Sequence, residues 1–274
     1  MEKFKRSERL VAMTKYLVNH PRDLISLGHF SELFSAAKST ISEDLVIIRD
    51  TLSNFSMGLL ETLPGAGGGV KFIPCISEQA ATEFLAELAD TLSQPERIIP
   101  GGFLYMTDLL FNPVISSKAG TIFASKFSDL KPDLVITIET KGIPLALMTA
   151  QALNVPLVVI RNDSKVTEGS SVSINYVSGS TKRIQTMSLP RRSLPKGSRV
   201  VVIDDFMKAG GTAKGILELM EEFDALVLGI GVLISTIEPH AKLVDQYVSL
   251  LELVDIEPQQ RKIYIRPTES KGVE

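Results

Sequence analysis

Apolar positions follow two different rhythms along this chain. Over the first 74 residues they recur mostly at helical spacing. Leu10, Met13 and Leu17 predict a helix over roughly 7–20, which Pro21 stops. Leu27, Phe30 and Leu33/Phe34 predict a second near 27–36, with Ser26 as its N-cap. Ile41, Leu45, Ile48 and Leu52 form the stripe of a third, about 40–53, opened by the capping-box string Thr40-Ile41-Ser42-Glu43. Gly58–Leu63 and Gly69–Ile73 then flank Pro64-Gly65-Ala66-Gly67-Gly68, which predicts a β-hairpin. Pro74-Cys75-Ile76-Ser77 marks a boundary, and Ser77 caps a helix over 78–92. Beyond it the rhythm changes to short, wholly apolar runs separated by helical stretches. The runs are Leu134–Ile138, Pro156–Ile160, Val200–Ile203 and Leu226–Ile234. Strands apolar on both faces belong to a parallel sheet covered by helices on each side.

The expected fold class is therefore α/β, with two domains, 1–74 and 75–274. Three short helices followed by a glycine-tipped hairpin is the order of a winged helix. That fold places its third helix in the DNA major groove and its hairpin against the backbone or minor groove. A plain helical packing domain with a hairpin is the alternative.

Composition narrows the classes. The 274 residues are 44% hydrophobic and 22% charged, which excludes wholesale disorder. No apolar run reaches membrane-spanning length and no secretory leader is expected at the N-terminus. Cys75 is the only cysteine, so an intrachain disulfide is excluded and a reducing, cytoplasmic setting is expected. With three histidines and one cysteine, a structural zinc site is not expected. The net charge of −3 hides a basic start: residues 1–22 carry six basic and two acidic side chains. Such a patch suits a polyanion, and a solvated helix face is the competing explanation. Lys5, Arg6, Arg9, Lys38, Ser39, Thr40, Ser42 and Lys71 are the candidate DNA-contacting residues.

The most informative string is Val200-Val201-Val202-Ile203-Asp204-Asp205-Phe206-Met207-Lys208-Ala209-Gly210-Gly211-Thr212-Ala213. A buried strand delivers two carboxylates to its C-terminal end, and a glycine-rich loop then opens a helix at Thr212 or Ala213. Backbone N–H groups of such a loop hold a phosphate. The neighbouring carboxylates accept sugar hydroxyls or hold Mg²⁺ through water.

This string resembles the phosphoribosyl-diphosphate (PRPP) motif of the type I phosphoribosyltransferases, with Ala209 where that family has Thr. Thr140, Lys141 and Gly142, after the strand ending in Glu139, are similar to the family's pyrophosphate loop. Arg161 and Lys165 follow the next strand, as basic residues do in adenine-type members. Residues 163–192 resemble the family's mobile flap, and Pro100–Tyr105 its entry strand. The resemblance implies that Asp204, Asp205, Phe206, Met207, Lys208, Ala209, Gly210, Gly211, Thr212, Thr140, Lys141, Gly142, Arg161, Lys165 and Tyr105 bind PRPP. It implies a metal contact by Asp204 and Asp205 only indirectly, through PRPP-bound Mg²⁺. No prosthetic group is expected.

A winged-helix head on such a body is the layout of a family of bacterial regulators of purine genes. It implies a homodimeric repressor of purine biosynthesis genes that binds operator DNA and is released by PRPP. Guanosine tetraphosphate or purine nucleotides would share the pocket, and the body would act as a sensor without transferase activity. An active purine phosphoribosyltransferase with an accessory N-terminal domain is the second possibility. A module with a relic pocket is the third.

Overall fold

The computed structural model of the chain describes residues 4–65, 67–162, 169–177 and 183–268. They form two compact units, Met1–Ser77 with Gln151–Asn154, and Glu78–Ala150 with Val155–Glu274.

In the first unit, α1 (Arg6–Asn19), α2 (Leu27–Phe34) and α3 (Lys38–Asn54) pack against the antiparallel hairpin of β1 (Leu59–Leu63) and β2 (Gly69–Ile73). Ile25 bridges to Val70, so a strand stub adds to the hairpin as a third rung. One apolar cluster joins all five elements: Met13 and Leu17 from α1, Phe30 and Phe34 from α2, the Ile41/Leu45/Ile48/Leu52 stripe of α3, and Leu60, Val70 and Phe72 from the hairpin. This is the winged-helix arrangement. Two local expectations need correction. Leu33 is 50% exposed, because Phe30 and Phe34, one turn apart, take the inward face and leave Leu33 on its flank. Helix α3 begins at Lys38 behind Ala37, which makes no side-chain cap. Thr40 therefore lies inside the first turn and the capping box is not used.

The second unit opens with α4 (Glu78–Leu92), the short hairpin β3 (Ile98–Ile99) and β4 (Phe103–Leu104), and helices α5 (Thr107–Leu110) and α6 (Pro113–Phe127). There follow β5 (Leu134–Ile138), α7 (Ile143–Leu153), β6 (Leu157–Ile160) and an antiparallel pair, β7 (Ser171–Val177) with β8 (Ile184–Pro190). The chain then runs β9 (Arg199–Met207), α8 (Gly211–Glu221), β10 (Leu226–Thr236), β11 (Val248–Glu257) and β12 (Lys262–Pro267). Six strands make the main sheet in the order β12-β11-β10-β9-β5-β6. All neighbours are parallel except β11 and β12. The wholly parallel expectation is thus corrected at one edge, where a short turn returns the chain without a crossover helix. Every residue of β5 is buried, as strands covered on both faces require.

Candidate effector site and nucleic-acid interface

The strand expected over 200–203 continues to Met207, and that extension builds the site. Strand β5 pairs with β9 only as far as Ile136↔Val202. Strand β10 stays beside β9 up to Ser235↔Met207. Asp204 and Asp205 therefore keep a sheet neighbour on one side only. On the other, β5 has turned into the Glu139–Gly142 loop. Ligands in open α/β sheets bind at such carboxyl ends.

The loop comes close. A Cβ at Gly142 would lie 2.8 Å from Asp204 Oδ1 and 2.6 Å from Thr137 Oγ1, so glycine is required there. Glu139 ties the loop to the next strand, its Oε1 accepting from the Asn162 N–H at 2.7 Å. The Asp205 N–H donates to Asp204 Oδ1 at 2.9 Å. Burial raises both carboxyls above the usual carboxylate range, Asp204 well above it, with the Asp205 charge adding to the effect. For Asp205 the hydrogen bond with Asp204 and the Lys141 charge oppose the rise. The Lys141 charge offsets burial only in part, and a cationic or hydroxylated ligand would supply further compensation.

After Met207 the chain makes the Lys208–Gly210 loop, and α8 starts at Gly211 behind Gly210, whose φ of 82° lies in the left-handed region. The helix presents its first N–H groups and the half-buried Thr212 towards the loop. A cleft of about 620 Å³ gathers Lys141, Asp205, Phe206 and Lys208 with Phe103 and Leu104. Only about 70 Å³ lies within the Lys208–Ala213 loop itself, which is room for a phosphate-sized group and little more.

Most of the expected pocket residues converge here. Thr140 is exposed at the loop tip, and Ala209, Gly210 and Gly211 line the smaller cavity. Met207, 4% exposed, packs its side chain in the core and lines only the smaller cavity. Arg161 lies at the end of β6 and bridges to Ser188 of β8 through its backbone. Tyr105 is 43% exposed and holds Arg97 through its backbone; its neighbours Leu104 and Met106 line the cleft. Lys165, with the rest of 163–168, and 178–182 of the expected flap lie outside the described residues. Tyr176 on β7 went unnoticed in the sequence. Its hydroxyl donates to Gln185 Oε1 at 2.8 Å and hydrogen-bonds Thr212, while burial raises its pKa. The β7–β8 pair thus touches the phosphate loop directly. Strand alternation placing Tyr176 inward was the only available signal.

The carboxylate pair makes a stability prediction with a definite sign. An acid whose folded pKa is raised binds its proton more tightly folded than unfolded, so stability falls as pH climbs from the ordinary carboxylate range through the folded value. Asp204→Asn removes the buried charge and is expected to raise the melting temperature of the second unit at pH 8 more than at pH 4. Calorimetry at both pH values checks it, and equal shifts at both would contradict the assignment.

In the first unit, Lys5, Lys38, Ser39 and Ser42 are exposed, and Thr40 is half-buried. Lys71 pairs with Glu61 across the hairpin at 2.6 Å. Arg6 and Arg9 do more than decorate the surface. Asp44 of α3 is fully buried, and its carboxylate accepts from Arg6 Nε at 2.9 Å and Arg9 Nε at 2.8 Å. Arg9 also donates to the Phe4 carbonyl and is 11% exposed, whereas the Arg6 side chain keeps 53% of its surface open.

A helical unit with a wing, joined to a sheet carrying an acidic pair beside a phosphate-type loop, defines a regulator built from a DNA-binding head and a phosphoribosyltransferase body. Residues 5–74 match the family described as "Bacterial purine repressor, N-terminal", and residues 106–264 match the phosphoribosyl transferase domain. The purine biosynthesis transcriptional repressor PurR of Bacillus subtilis is 54% identical over 96% of this chain and 93% of its own. The purine biosynthesis transcriptional activator PurR of Lactococcus lactis subsp. lactis is 42% identical over 96% of this chain and 97% of its own. The adenine phosphoribosyltransferase of Rhodothermus marinus superposes with a TM-score of 0.53 at 23% identity, covering 62% of this chain and 99% of that one; it shows the fold of the body. The chain belongs to the bacterial purine repressor family, transcriptional regulators that carry a phosphoribosyltransferase domain. No helix among the described residues is long and apolar enough to cross a membrane.

Proposed function

We propose that this protein is a homodimeric repressor of purine biosynthesis genes, acting in the bacterial cytoplasm, that binds operator DNA through its head and is released when PRPP occupies the body. The observation that carries this is the juxtaposition of Asp204 and Asp205, acids raised by burial, with Lys141 and the Lys208–Thr212 loop, across two cavities that share Phe206 and Lys208. PRPP matches that arrangement group by group. Its 5′-phosphate suits the loop's N–H groups, its ribose hydroxyls suit the two carboxylates, and its diphosphate suits Lys141. Carboxylate oxygens and water suit the Mg²⁺ that accompanies a diphosphate. Asp204 and Asp205 would meet it through water, which needs no dedicated cage, and among the described residues no group of three metal-ligating side chains gathers. When bound, the ion would neutralise part of the diphosphate charge. Guanosine tetraphosphate or a purine nucleotide would compete for the same phosphate and sugar contacts.

Repression is favoured over activation by sequence distance, since the repressor relative is 54% identical and the activator 42%. The dimer follows from operator symmetry, because two heads on a two-fold axis read two half-sites. The test is operator binding titrated with PRPP and Mg²⁺. Affinity that falls as PRPP rises supports the proposal, and affinity indifferent to PRPP refutes it. Mixing the protein with PRPP and adenine, guanine or xanthine tests the enzymatic alternative, which requires pyrophosphate release.

Head contacts to phosphate carry their own prediction. Lys5→Ala and Lys38→Ala each remove one exposed cation without touching Asp44. Each is expected to lower the slope of log K against log salt by about one and to weaken binding to all duplexes alike. An unchanged slope in the double variant removes these lysines from the interface.

A further inference from the structure

The loop between Met207 and Gly211 is held from outside by the segment that follows β10, residues 237–244. We propose that Lys242 is the positioning residue of this strap, fixing the Lys208 and Ala209 peptides so that the next N–H groups along the loop stand ready for the effector's 5′-phosphate. The inference rests on the PRPP reading of the cleft and adds to it a residue outside the motif.

Lys242 Nζ donates to the Lys208 carbonyl at 2.6 Å and to the Thr236 carbonyl at 2.7 Å, with Thr236 Oγ1 at 3.3 Å. The Thr236 hydroxyl itself lies 3.2 Å from the Lys208 carbonyl. One residue further along, the Leu243 N–H donates to the Ala209 carbonyl at 2.9 Å. Val244 is 6% exposed and anchors the strap in the apolar core beneath α8. Two consecutive carbonyls of the loop are thereby turned towards the strap. A peptide group is planar, and in the trans form its N–H points opposite to its C=O. Fixing the Lys208 carbonyl therefore fixes the Ala209 N–H on the loop's far side. Fixing the Ala209 carbonyl does the same for the Gly210 N–H. Among the described residues neither N–H has a hydrogen-bond partner.

The arrangement matters more here because position 209 is Ala. No side-chain hydroxyl stands there to bind phosphate, so the backbone donors carry a larger share. Preorganised donors bind an anion better than mobile ones because less ordering is required on binding. Lysine suits the task, since one ammonium supplies three donors to several oxygens at once. Burial lowers the Lys242 pKa, with Glu238 opposing, so the ammonium is partly withdrawn from water.

The test uses the full chain with Lys242→Met and Lys242→Arg, with calorimetric binding of Mg²⁺-PRPP and Mg²⁺-pyrophosphate. Lys242→Met is expected to weaken PRPP by about tenfold or more, as for loss of an aligned charged-group hydrogen bond. Pyrophosphate, which engages the Lys141 side, should bind unchanged, and Lys242→Arg should restore most of the PRPP affinity. Amide exchange at Leu243, whose N–H donates to the Ala209 carbonyl, should quicken in Lys242→Met while that of α8 does not. Wild-type PRPP affinity in Lys242→Met overturns the proposal, as does an equal loss for both ligands, which marks a general loosening. A wild-type chain that binds pyrophosphate but not PRPP overturns the reading of the cleft and the strap's role with it.

Discussion

Replacing Asp204 and Asp205 together with Ala is expected to abolish the response of operator binding to PRPP while leaving operator affinity as it was. The two carboxylates sit past the point where β5 leaves β9, so their removal breaks no sheet hydrogen bond. It also relieves a strained electrostatic site, since both acids are raised by burial and Asp204 is raised further by its neighbour's charge. On the proposed reading, what disappears is the acceptor pair for ribose hydroxyls and the water-mediated hold on Mg²⁺. The variant should behave as a super-repressor: bound to operator at every PRPP concentration. Loss of two charged-group hydrogen bonds is worth about 3 kcal/mol or more, a hundredfold in PRPP affinity, so the curve should stay flat across two decades of PRPP. A shift like that of the wild type would falsify the assignment. If the protein were instead a transferase, the same change would cost pyrophosphate release and leave operator binding without any PRPP dependence to lose.

Arg9→Ala should loosen the head itself. Asp44 has no exposed surface, and Arg9 supplies one of its two cationic partners at 2.8 Å with only 11% of its own side chain exposed. Deleting Arg9 leaves Asp44 with the half-exposed Arg6 alone, so the loss should fall near the lower end of the about 3–5 kcal/mol for breaking a buried pair. Amide exchange across α3 should accelerate by two orders of magnitude or more, reported separately from the second unit. Were Arg9 simply a phosphate contact, α3 protection would stand and only the salt slope of DNA binding would drop. Arg6, with half its surface open, can serve both Asp44 and a phosphate; Arg9 is committed to the fold. The basic N-terminal cluster is thus in part a structural clamp, and testing it by removing Lys5, Arg6, Arg9 and Lys38 at once would confuse lost contacts with a lost helix.

Asp44 also shows where pattern reading stops. It lies one turn after Ile41 on the inward stripe of α3, a charged residue in an apolar row. Its spacing alone announces burial, but the partners that make burial tolerable come from α1, 35 and 38 residues away. Local sequence holds no record of that distance. Strands β11 and β12 went unread for a related reason. Glu252, Asp255 and Glu257 interrupt the apolar run of β11, and its place next to the edge strand β12, which is a property of the whole sheet, leaves these residues partly exposed. Lys242 lies in a stretch with no periodicity, and its three oxygen partners belong to two other segments.

Short-range chemistry was enough for the rest. The helical stripes of the head, the glycine-tipped hairpin, the four apolar runs and the Asp-Asp with its Gly-Gly-Thr loop are all set by periods of two and 3.6 and by glycine's freedom, which act within a few residues. From these alone follow a winged head, a covered sheet and a phosphate-type loop beside two acids. Tertiary structure decided what required distant segments to meet. It set how far β9 outruns β5, and so which side of the acids lies open. It brought Gly142 against Asp204, Tyr176 against Thr212 and Lys242 against Lys208, and it assigned Arg9 to a buried carboxylate. Each of these depends on close packing between parts of the chain tens of residues apart, and close packing is a condition on the whole fold that no local window contains.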